Sequence, residues 1–313
     1  MKINRNDAYV ICGILVLLLA GCSPTCHTVM KAEQGKISGS DAMESLLDQP
    51  GPVELQTLKS AEWSVPLAGL LNLDSPAAIN AELKDHEEPI QIYVHVLKHP
   101  MRGNYLIDTG MSKTLLDDPG RAGLNWLLRQ VMDIGAIQLK TSTAEVLRSL
   151  DGPLSGVFLT HLHIDHISGM VDIPGDAALY TGANEATDTY WQNIFSQSAV
   201  NQLLMDKQPL QEWPSAPDPQ NRFEGITDIF ADGSVFAIRV PGHTGGSTAF
   251  LIRTTRGPVL LTGDACHTRW GWEHTVEPGT FSEDPERSRK NLINLKNLVA
   301  RHPQIEVRFG HQP

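Results

Sequence analysis

The amino-acid sequence predicts a layered α/β fold, with β-sheets at the centre and helices packed outside them. At 313 residues the chain is long enough for one large domain or two small ones. Hydrophobic residues make up 41% of it and charged residues 19%, which is typical of folded rather than disordered proteins. Beyond residue 50, short apolar strands outnumber the helices with which they alternate, and this pattern favours sheets covered by helices.

The individual elements are predicted from apolar runs and from the 3.6-residue spacing of apolar side chains. The predicted strands cover residues 53–58, 90–97, 105–107, 156–159, 235–240, 249–252, 259–261 and 305–309. The predicted helices cover residues 124–132, 142–150, parts of 184–205, and 285–302. Pro285 opens the last of these, and proline suits the first turn of a helix. The order of the strands within the sheets does not follow from periodicity.

Residues 1–21 have the pattern of a secretory signal peptide. Lys2 and Arg5 precede an uncharged apolar run over residues 8–20, which is shorter than the roughly 20 residues of a membrane-spanning helix. The run ends in LAGC, which resembles the lipobox of bacterial lipoproteins, where the signal is cut before the cysteine and that cysteine, Cys22, receives lipid. An uncleaved anchor is the alternative. A lipid anchor and an uncleaved anchor both place the domain outside the cytoplasm, in the cell envelope and on its periplasmic side.

The segment 22–50 is polar and aperiodic, and it is predicted to be a linker between the lipid anchor and a hydrolase domain over residues 51–313. The formal net charge of −11 argues against electrostatic binding of nucleic acid or anionic lipid. Among four cysteines, Cys12 lies in the signal and Cys22 is the lipidation site. Cys26 and Cys266 remain, and their separation gives weak support for a disulfide.

One stretch concentrates chemically active side chains. After the predicted strand 156–159, the sequence THLHIDH places His161, His163, Asp165 and His166 on the loop that leaves the strand. Imidazole and carboxylate are ligands that suit zinc and other first-row transition metals. In an extended loop, His161 and His163 point the same way and can bind one ion, while Asp165 and His166 turn toward a neighbouring position.

Three later segments each end an apolar strand with a glycine and a potential ligand. These ligands are His243, Asp264 and His311. Glycine at the preceding position lets the backbone approach closely while the next side chain points into a cleft. Each segment by itself is weak evidence for a metal site. Together with the first cluster, the three segments supply five histidines and two aspartates, enough for two metal ions.

The order and context of these motifs resemble the metallo-β-lactamase superfamily, in which a THxHxDH motif, a later GH, a GD and a final GH assemble a dinuclear site. The resemblance spans roughly residues 53–311 and implies an αβ/βα sandwich, with two sheets packed face to face and helices outside. It implies a first metal held by His161, His163 and His243, a second held by Asp165, His166 and His311, and Asp264 bridging them. It also implies that Asp108, in the DTG element at residues 108–110, orients a ligand histidine.

Two close divalent cations, with zinc as the first candidate, ionise a shared water near neutral pH. The predicted reaction is hydrolysis by attack of a metal-bridging hydroxide, with Asp165 passing a proton to the leaving group as in similar enzymes. Asp264, the element DTGM at residues 108–111 and the final FGH resemble N-acyl homoserine lactone lactonases most. His267 stands where those enzymes commonly have a tyrosine that contacts the substrate carbonyl, so it is a candidate catalytic group; a purely local role is the alternative.

The predicted substrate is therefore a small lactone or other carboxylic ester. The alternatives are a phosphotriester, phosphodiester or thioester hydrolase that uses the same site, and a non-catalytic metal-binding lipoprotein. The sequence lacks the motifs GxxxxGK[ST], HExxH and GxSxG. Six aromatic residues flank the motifs, and both a substrate-pocket role and ordinary core positions remain open for them: Tyr190, Trp191, Phe195, Trp213, Trp270 and Trp272.

Overall fold

The computed structural model describes residues 22–313 apart from residues 121, 122 and 125. The predicted signal peptide lies outside these residues. The strands are β1 (Val29–Lys31), β2 (Lys36–Ser38), β3 (Glu54–Pro66), β4 (Glu87–His99), β5 (Gly103–Ile107), β6 (Gln138–Leu139), β7 (Leu154–Phe158), β8 (Ala178–Thr181), β9 (Leu210–Glu212), β10 (Ile226–Asp228), β11 (Val235–Arg239), β12 (Thr248–Thr254), β13 (Gly257–Leu261) and β14 (Glu306–Arg308).

The helices are mostly short, and the two longest follow β8 and β13. They are α1 (Ser40–Glu44), α2 (Leu67–Leu70), α3 (Pro76–Asn80), α4 (Lys113–Asp117), α5 (Trp126–Val131), α6 (Thr143–Ser149), α7 (Ile164–Ile167), α8 (Asn193–Leu204), α9 (Arg269–His274) and α10 (Pro285–Arg301). Every strand and helix predicted from the sequence has a counterpart here. Most ends differ by a few residues, but β3 continues to Pro66, whereas the predicted strand ends at residue 58. Within the described part of the chain, no helix is both long and apolar enough to span a bilayer.

Two mixed sheets form the centre of the fold. The first has the strand order β1-β9-β8-β7-β5-β4-β3-β6 and the second the order β14-β13-β12-β11-β10-β2. Strands β5, β7, β8 and β9 run parallel to one another, as do β13 and β14. The αβ/βα sandwich predicted from the motif resemblance is therefore confirmed.

Alternating side chains on each strand assign the layers. In the first sheet, Val157 packs outward beneath the helices, whereas Phe158 packs inward against the second sheet. In the second sheet, Phe250 faces inward and Leu251 faces α10. Because successive side chains on a strand point to opposite faces, one apolar strand supplies two cores. The result is the order helix, sheet, sheet, helix.

Residues 22–50 are folded in this structure, which corrects the predicted linker. Strand β1 pairs with β9, and β2 pairs with β10, so the segment adds an edge strand to each sheet. Met43 and Leu47 are fully buried in the core beneath α10. The segment looks polar because only a few of its side chains are buried, and their partners lie far away in sequence.

Glu44 connects this amino-terminal segment to the far end of the chain. Its carboxylate accepts hydrogen bonds from Arg222, from both Nε and Nη2 of Arg301, and from His302, at 2.8–2.9 Å. Burial alone would raise the pKa of Glu44, but these three donors outweigh burial and lower the pKa from 4.5 to about 2. The folded state therefore favours the charged carboxylate.

Replacing this carboxylate in Glu44→Gln is expected to destabilise the fold only above acidic pH. A carboxyl whose pKa is lower in the folded state stabilises the fold above its unfolded pKa, and this stabilisation is lost as the pH falls from about 4.5 to about 2. With an allowance for solvent screening, we expect the variant to lose about 1–2 kcal/mol at pH 7. Urea unfolding at pH 7 and pH 2 measures the difference, and an equal loss at both pH values would contradict the assignment.

Candidate metal centre

The predicted ligands come from loops that leave the carboxyl ends of four strands. Asp108 follows β5 and the cluster at residues 160–166 follows β7, and these parallel neighbours end at the same edge of the first sheet. In the second sheet, β11, β13 and β14 share one direction, and their ends lead to His243, Asp264 and His311. The topology thus brings segments far apart in sequence to one edge of the sandwich, as in other folds whose sites lie at strand ends.

The first group of potential ligands contains His161, His163, His243 and Asp264, whose candidate donor atoms all lie within 4.8 Å of one another. Nε2 of His243 lies 2.9 Å from Nδ1 of His163. Oδ2 of Asp264 lies 3.3 Å from Nε2 of His243 and 3.7 Å from Nε2 of His161. The donor atoms therefore converge on a single point, as a metal ion requires.

The second group contains Asp165, His166, Asp264 and His311, within the same 4.8 Å limit. Oδ2 of Asp264 lies 3.3 Å from Nε2 of both His166 and His311. Oδ2 of Asp165 lies 3.5 Å and 3.4 Å from the same two nitrogens. Asp264 is the member common to both groups, and this is the place that the motif resemblance implies for a bridging carboxylate.

Glycines at two of the strand ends allow this convergence. At Gly242, φ is 137°, and a Cβ atom would come within 2.3 Å of the backbone nitrogen of Ser288 at the start of α10. At Gly310, a Cβ atom would come within 2.4 Å of Oδ1 of Asp264. A larger residue at either position would therefore displace a strand end that carries a ligand.

The unsatisfied atoms of the site fit a bound cation. Nε2 of His161, Nε2 of His166 and Oδ1 of Asp264 are buried without a hydrogen-bond partner among the described residues. An unsatisfied buried polar atom costs about 1–3 kcal/mol, and coordination of a metal removes that cost. Two groups of imidazole and carboxylate donors, joined by one aspartate, are the chemistry of a dinuclear site for divalent ions of the zinc type.

The ionisation of these side chains also favours cations. Burial lowers the pKa of His161 and His243 well below 6.5 and that of His163 to about 4, so the first group presents neutral imidazoles. Burial opposes the charge on His166 and His311, yet the neighbouring carboxylates, above all Asp264 and then Asp165, together outweigh burial and raise both pKa values. The negative potential that attracts protons to these two imidazoles would also attract a metal ion.

Comparison with known proteins agrees with this geometry. The sequence model described as "Metallo-beta-lactamase superfamily" matches residues 88–301. The chain belongs to the metallo-beta-lactamase superfamily. The superfamily predicted from the motifs is therefore confirmed, and the fold and the His/Asp groups are those of a metallohydrolase.

Relatives within the superfamily include lactonases. N-acyl homoserine lactonase AttM of Agrobacterium fabrum is 26% identical over 236 residues, which cover 73% of this chain and 84% of that protein. A crystal structure of a B. thuringiensis AiiA variant with N-decanoyl-L-homoserine at its active site aligns with a TM-score of 0.57, 20% identity and coverage of 82% and 92% of the two chains. AidC, a dizinc quorum-quenching lactonase, aligns with a TM-score of 0.58, 15% identity and coverage of 90% and 92%.

Asp108 holds His166, one of the candidate metal ligands, in place. Its Oδ2 accepts a hydrogen bond from Nδ1 of His166 at 2.7 Å, which leaves Nε2 directed at the second group. Its Oδ1 accepts from the backbone nitrogen of Thr160 at 2.8 Å. Asp108 adopts a left-handed backbone with φ 54°, a conformation that aspartate tolerates better than most residues. Asp108 is therefore bonded both to the ring of His166 and to the chain that carries His161.

Removing this hydrogen bond in Asp108→Ala is expected to weaken metal binding at the second group about 10- to 100-fold, because His166 loses the partner that fixes its ring. Titration of metal-depleted protein with Zn²⁺ measures the affinity. Asp117→Ala, on the exposed helix α4, is the control and should bind as the wild type does. An unchanged affinity in Asp108→Ala would show that Asp108 does not orient His166.

Glu185 is a residue of this site that the sequence analysis missed. Its Oε1 accepts from the backbone nitrogen of Leu162 at 2.8 Å, and its Oε2 accepts from Oγ1 of Thr244 and the backbone nitrogen of Gly246 at 2.7 and 2.9 Å. It is buried, and burial raises its pKa to about 7. Glu185 therefore joins the loop of His161 and His163 to the loop of His243. No local motif marks this residue, because all its partners are distant in sequence.

His267 lies beside the dinuclear group with both ring nitrogens facing oxygen atoms. Nδ1 lies 2.9 Å from the backbone oxygen of Leu70, and Nε2 lies 3.0 Å from Oδ2 of Asp264. Its side chain is buried. The ring is therefore held between the backbone and the shared carboxylate.

A cleft of about 550 Å³ opens beside His311, and Trp63, Ile90 and Arg269 contribute to its walls. None of the six aromatic residues that flank the motifs lines this cleft. Trp213 packs between the sheets, whereas Trp191 and Phe195 are exposed. A pocket of this volume suits a small-molecule ligand.

The described cysteines are not paired with one another. Cys266 is buried beside Leu292 and Phe309, and burial raises its pKa to about 12. Cys26 is exposed and Cys22 partly so. Cys266 therefore packs as an apolar side chain next to the metal centre.

Proposed function

We propose that this protein is a zinc-dependent hydrolase of lactones or other carboxylic esters. The observation that carries the proposal is the pair of His/Asp groups that share the carboxylate of Asp264. The names of the relatives support the substrate class, since AttM is called an N-acyl homoserine lactonase and the AiiA structure holds N-decanoyl-L-homoserine.

Two bound divalent ions supply an ionised water near neutral pH and a Lewis acid for a carbonyl oxygen. In this chain His161, His163 and His243 would hold one ion, and Asp165, His166 and His311 the other. Asp264 touches both groups and fixes their spacing. Its side chain is nearly inaccessible to solvent, so water does not compete for its oxygens.

Asp165 is the residue suited to move a proton. Its side chain is 19% exposed, against 3% for Asp264, so it is the more open of the two carboxylates. One oxygen faces the imidazoles of His166 and His311. The other side of the carboxyl group can take up the proton released by water and pass it to the departing alkoxide, as general acid–base catalysis requires.

His267 is proposed to act in catalysis through Asp264. In the lactonases that this chain resembles, a tyrosine at this position contacts the substrate carbonyl, and that role for His267 stays a prediction. Replacing it in His267→Phe is expected to lower kcat about 10- to 100-fold and to weaken metal binding, because the carboxylate of Asp264 loses one of its hydrogen-bond partners. His274→Phe, on the exposed face of α9, is the matched control. Normal metal affinity with reduced kcat would assign His267 to the substrate instead.

A substrate panel with the metal-loaded full-length chain tests the proposed activity. Acyl lactones and simple carboxylic esters should release acid at a rate that chelation abolishes and zinc restores. Aryl phosphotriesters, bis-aryl phosphodiesters and glutathione thioesters serve as competing substrates. Faster turnover of any of these would replace the ester assignment, and no turnover of the whole panel by fully loaded protein would reject it.

We also propose that Cys22 is lipidated and anchors the domain in the cell envelope. The LAGC sequence at residues 19–22 and the apolar run before it support this proposal. Mass spectrometry of the protein purified from bacterial membranes should find lipid on an amino-terminal Cys22. An unmodified Cys22 preceded by the intact apolar run would indicate an uncleaved anchor instead.

A further inference from the structure

The chain immediately after Cys22 is fastened along helix α8. Asn193 donates a hydrogen bond to the backbone oxygen of Cys22 at 2.9 Å, and Gln197 donates to the backbone oxygen of Ser23 at 2.7 Å. Asn201 accepts from Oγ1 of Thr25 and from the backbone nitrogen of Cys26, both at 2.7 Å. Residues 193, 197 and 201 are spaced four apart and therefore lie on one face of the helix.

A second contact fixes Cys22 itself at the start of this helix. Its backbone nitrogen donates to the oxygen of Tyr190 at 3.1 Å, and the nitrogen of Tyr190 donates back at 3.2 Å. Among the described residues, no flexible spacer therefore separates Cys22 from the domain. An anchor attached at Cys22 leaves the domain directly beside residue 190.

The residues next to this point carry an exposed apolar patch. Trp191, Ile194 and Phe195 are 58%, 40% and 55% exposed. The rings of Trp191 and Phe195 meet edge to face, with their centroids 6.1 Å apart. Large apolar side chains that cluster on a surface indicate an interaction site, and tryptophan and phenylalanine suit the interface between lipid and water.

We propose that Trp191, Ile194 and Phe195 form a membrane-contact patch that rests on the lipid surface beside the anchor at Cys22. The inference rests on the proposed anchor and adds a fixed orientation to it. Residues 1–21 lead directly into Cys22 and include an apolar run, so both interpretations of that run bring the patch to a bilayer. With a net charge of −11, the chain is not attracted electrostatically to anionic lipid headgroups. The attraction between the patch and the membrane is therefore apolar contact.

This orientation places the metal centre near the membrane. The loop just before the patch packs against the loop of His243. The carboxylate of Asp188 lies so close to Gly245 that it fills the space a Cβ atom would need there. Glu185 in the same loop bonds to both ligand-bearing loops. The ligand-bearing edge of the sandwich is therefore on the same side of the domain as the patch, where acyl substrates dissolved in the bilayer would be close.

Site-specific probes on the full-length chain in phosphatidylcholine vesicles test the proposal. A polarity-sensitive thiol dye is attached at Phe195→Cys and, for comparison, at Met101→Cys, in a background with Cys12 and Cys26 replaced by serine. Met101 is equally apolar and 85% exposed, and it lies at the opposite end of β5 from the metal loops. The dye at 195 should shift to shorter wavelength, and brominated lipid should quench it at least about twofold more than the dye at 101.

Three outcomes would overturn the proposal. Equal quenching at the two positions would mean that the domain has no preferred orientation. A blue shift at 195 without quenching by brominated lipid would mean that the apolar run or another protein covers the patch. A shift that grows with protein concentration in plain lipid would indicate a second copy of the chain. The readout needs no catalysis, so failure of the proposed esterase activity would leave the result interpretable.

A second variant tests the role of the hydrogen bonds that fasten the chain. Gln197→Ala with Asn201→Ala should leave the fold intact, because both side chains are only partly buried. The released segment would then act as a flexible spacer, and quenching at position 195 should fall toward the value at 101. Undiminished quenching would show that the patch finds the membrane without a fixed anchor point, which contradicts the proposed orientation.

Discussion

Replacing Asp264 in Asp264→Asn is expected to lower kcat/KM about 10³-fold or more and to reduce the bound metal from two ions to one at most. The single carboxylate oxygen Oδ2 lies 3.0–3.7 Å from Nε2 of five imidazoles. The amide keeps the shape of the side chain but loses the negative charge that those imidazoles and two cations share. Loss of one partner from a buried charged group is among the costliest single changes.

Asp165→Asn is the matched control for this variant. It changes the same kind of side chain, but Asp165 belongs only to the second group. The control should therefore keep the first ion and lose affinity for the second. Elemental analysis and initial rates measure both variants, and circular dichroism confirms that each is folded. Two retained ions and near-normal rates in Asp264→Asn would show that the carboxylate does not bridge.

The second large effect is expected at Glu185. In Glu185→Gln the amide keeps one acceptor oxygen but turns an NH₂ group toward donors that already need an acceptor. Two of these donors are the backbone nitrogens of Leu162 and Gly246. Each donor left unsatisfied costs about 1–3 kcal/mol, so we expect a loss of about 2–3 kcal/mol in stability. Because the loops of His163 and His243 are no longer joined, zinc affinity at the first group should fall at least about 10-fold.

Glu277→Gln is the control that separates the loss of stability from the loss of zinc affinity. Glu277 is also buried and bonds to Asn72 and Arg289, neither of which lies in a ligand-bearing loop. The Glu277→Gln variant should be less stable than the wild type but should bind zinc with the same affinity. Chemical unfolding of the metal-depleted variants and zinc titration provide the two measurements. If Glu185→Gln lost stability to the same degree as Glu277→Gln but bound zinc like the wild type, its role would be only structural.

The metal centre is the part of this molecule most accessible to sequence reasoning. His161, His163, Asp165 and His166 lie within six residues, on the loop after β7 and in the short helix α7 that follows it, so their chemistry is visible without knowledge of the fold. His243, Asp264 and His311 are individually ambiguous. They become recognisable as ligands only when the fold is known, because strands that run in the same direction end at one edge of the sandwich. That arrangement was inferred from the family resemblance and not from periodicity.

Features that depend on distant contacts were missed. Strands β1, β2, β8, β9 and β10 have three or four residues each, too few for a period to show. Met43 and Leu47 appear as isolated apolar residues in a polar stretch, although the core beneath α10 buries both completely. Glu185 reads as an ordinary acidic loop residue until its three hydrogen-bond donors are located. In each case the element or side chain is stabilised by partners that are distant in sequence, and the local sequence does not reveal them.

The most direct test of the dinuclear centre is an anomalous-scattering map from crystals of the zinc-loaded chain, recorded at the zinc absorption edge. The predicted result is two peaks about 3.5–4 Å apart, with the carboxylate of Asp264 between them. One peak should contact His161, His163 and His243, and the other should contact Asp165, His166 and His311. A single peak, or zinc bound away from Asp264, would contradict the proposed centre and the hydrolysis that depends on it.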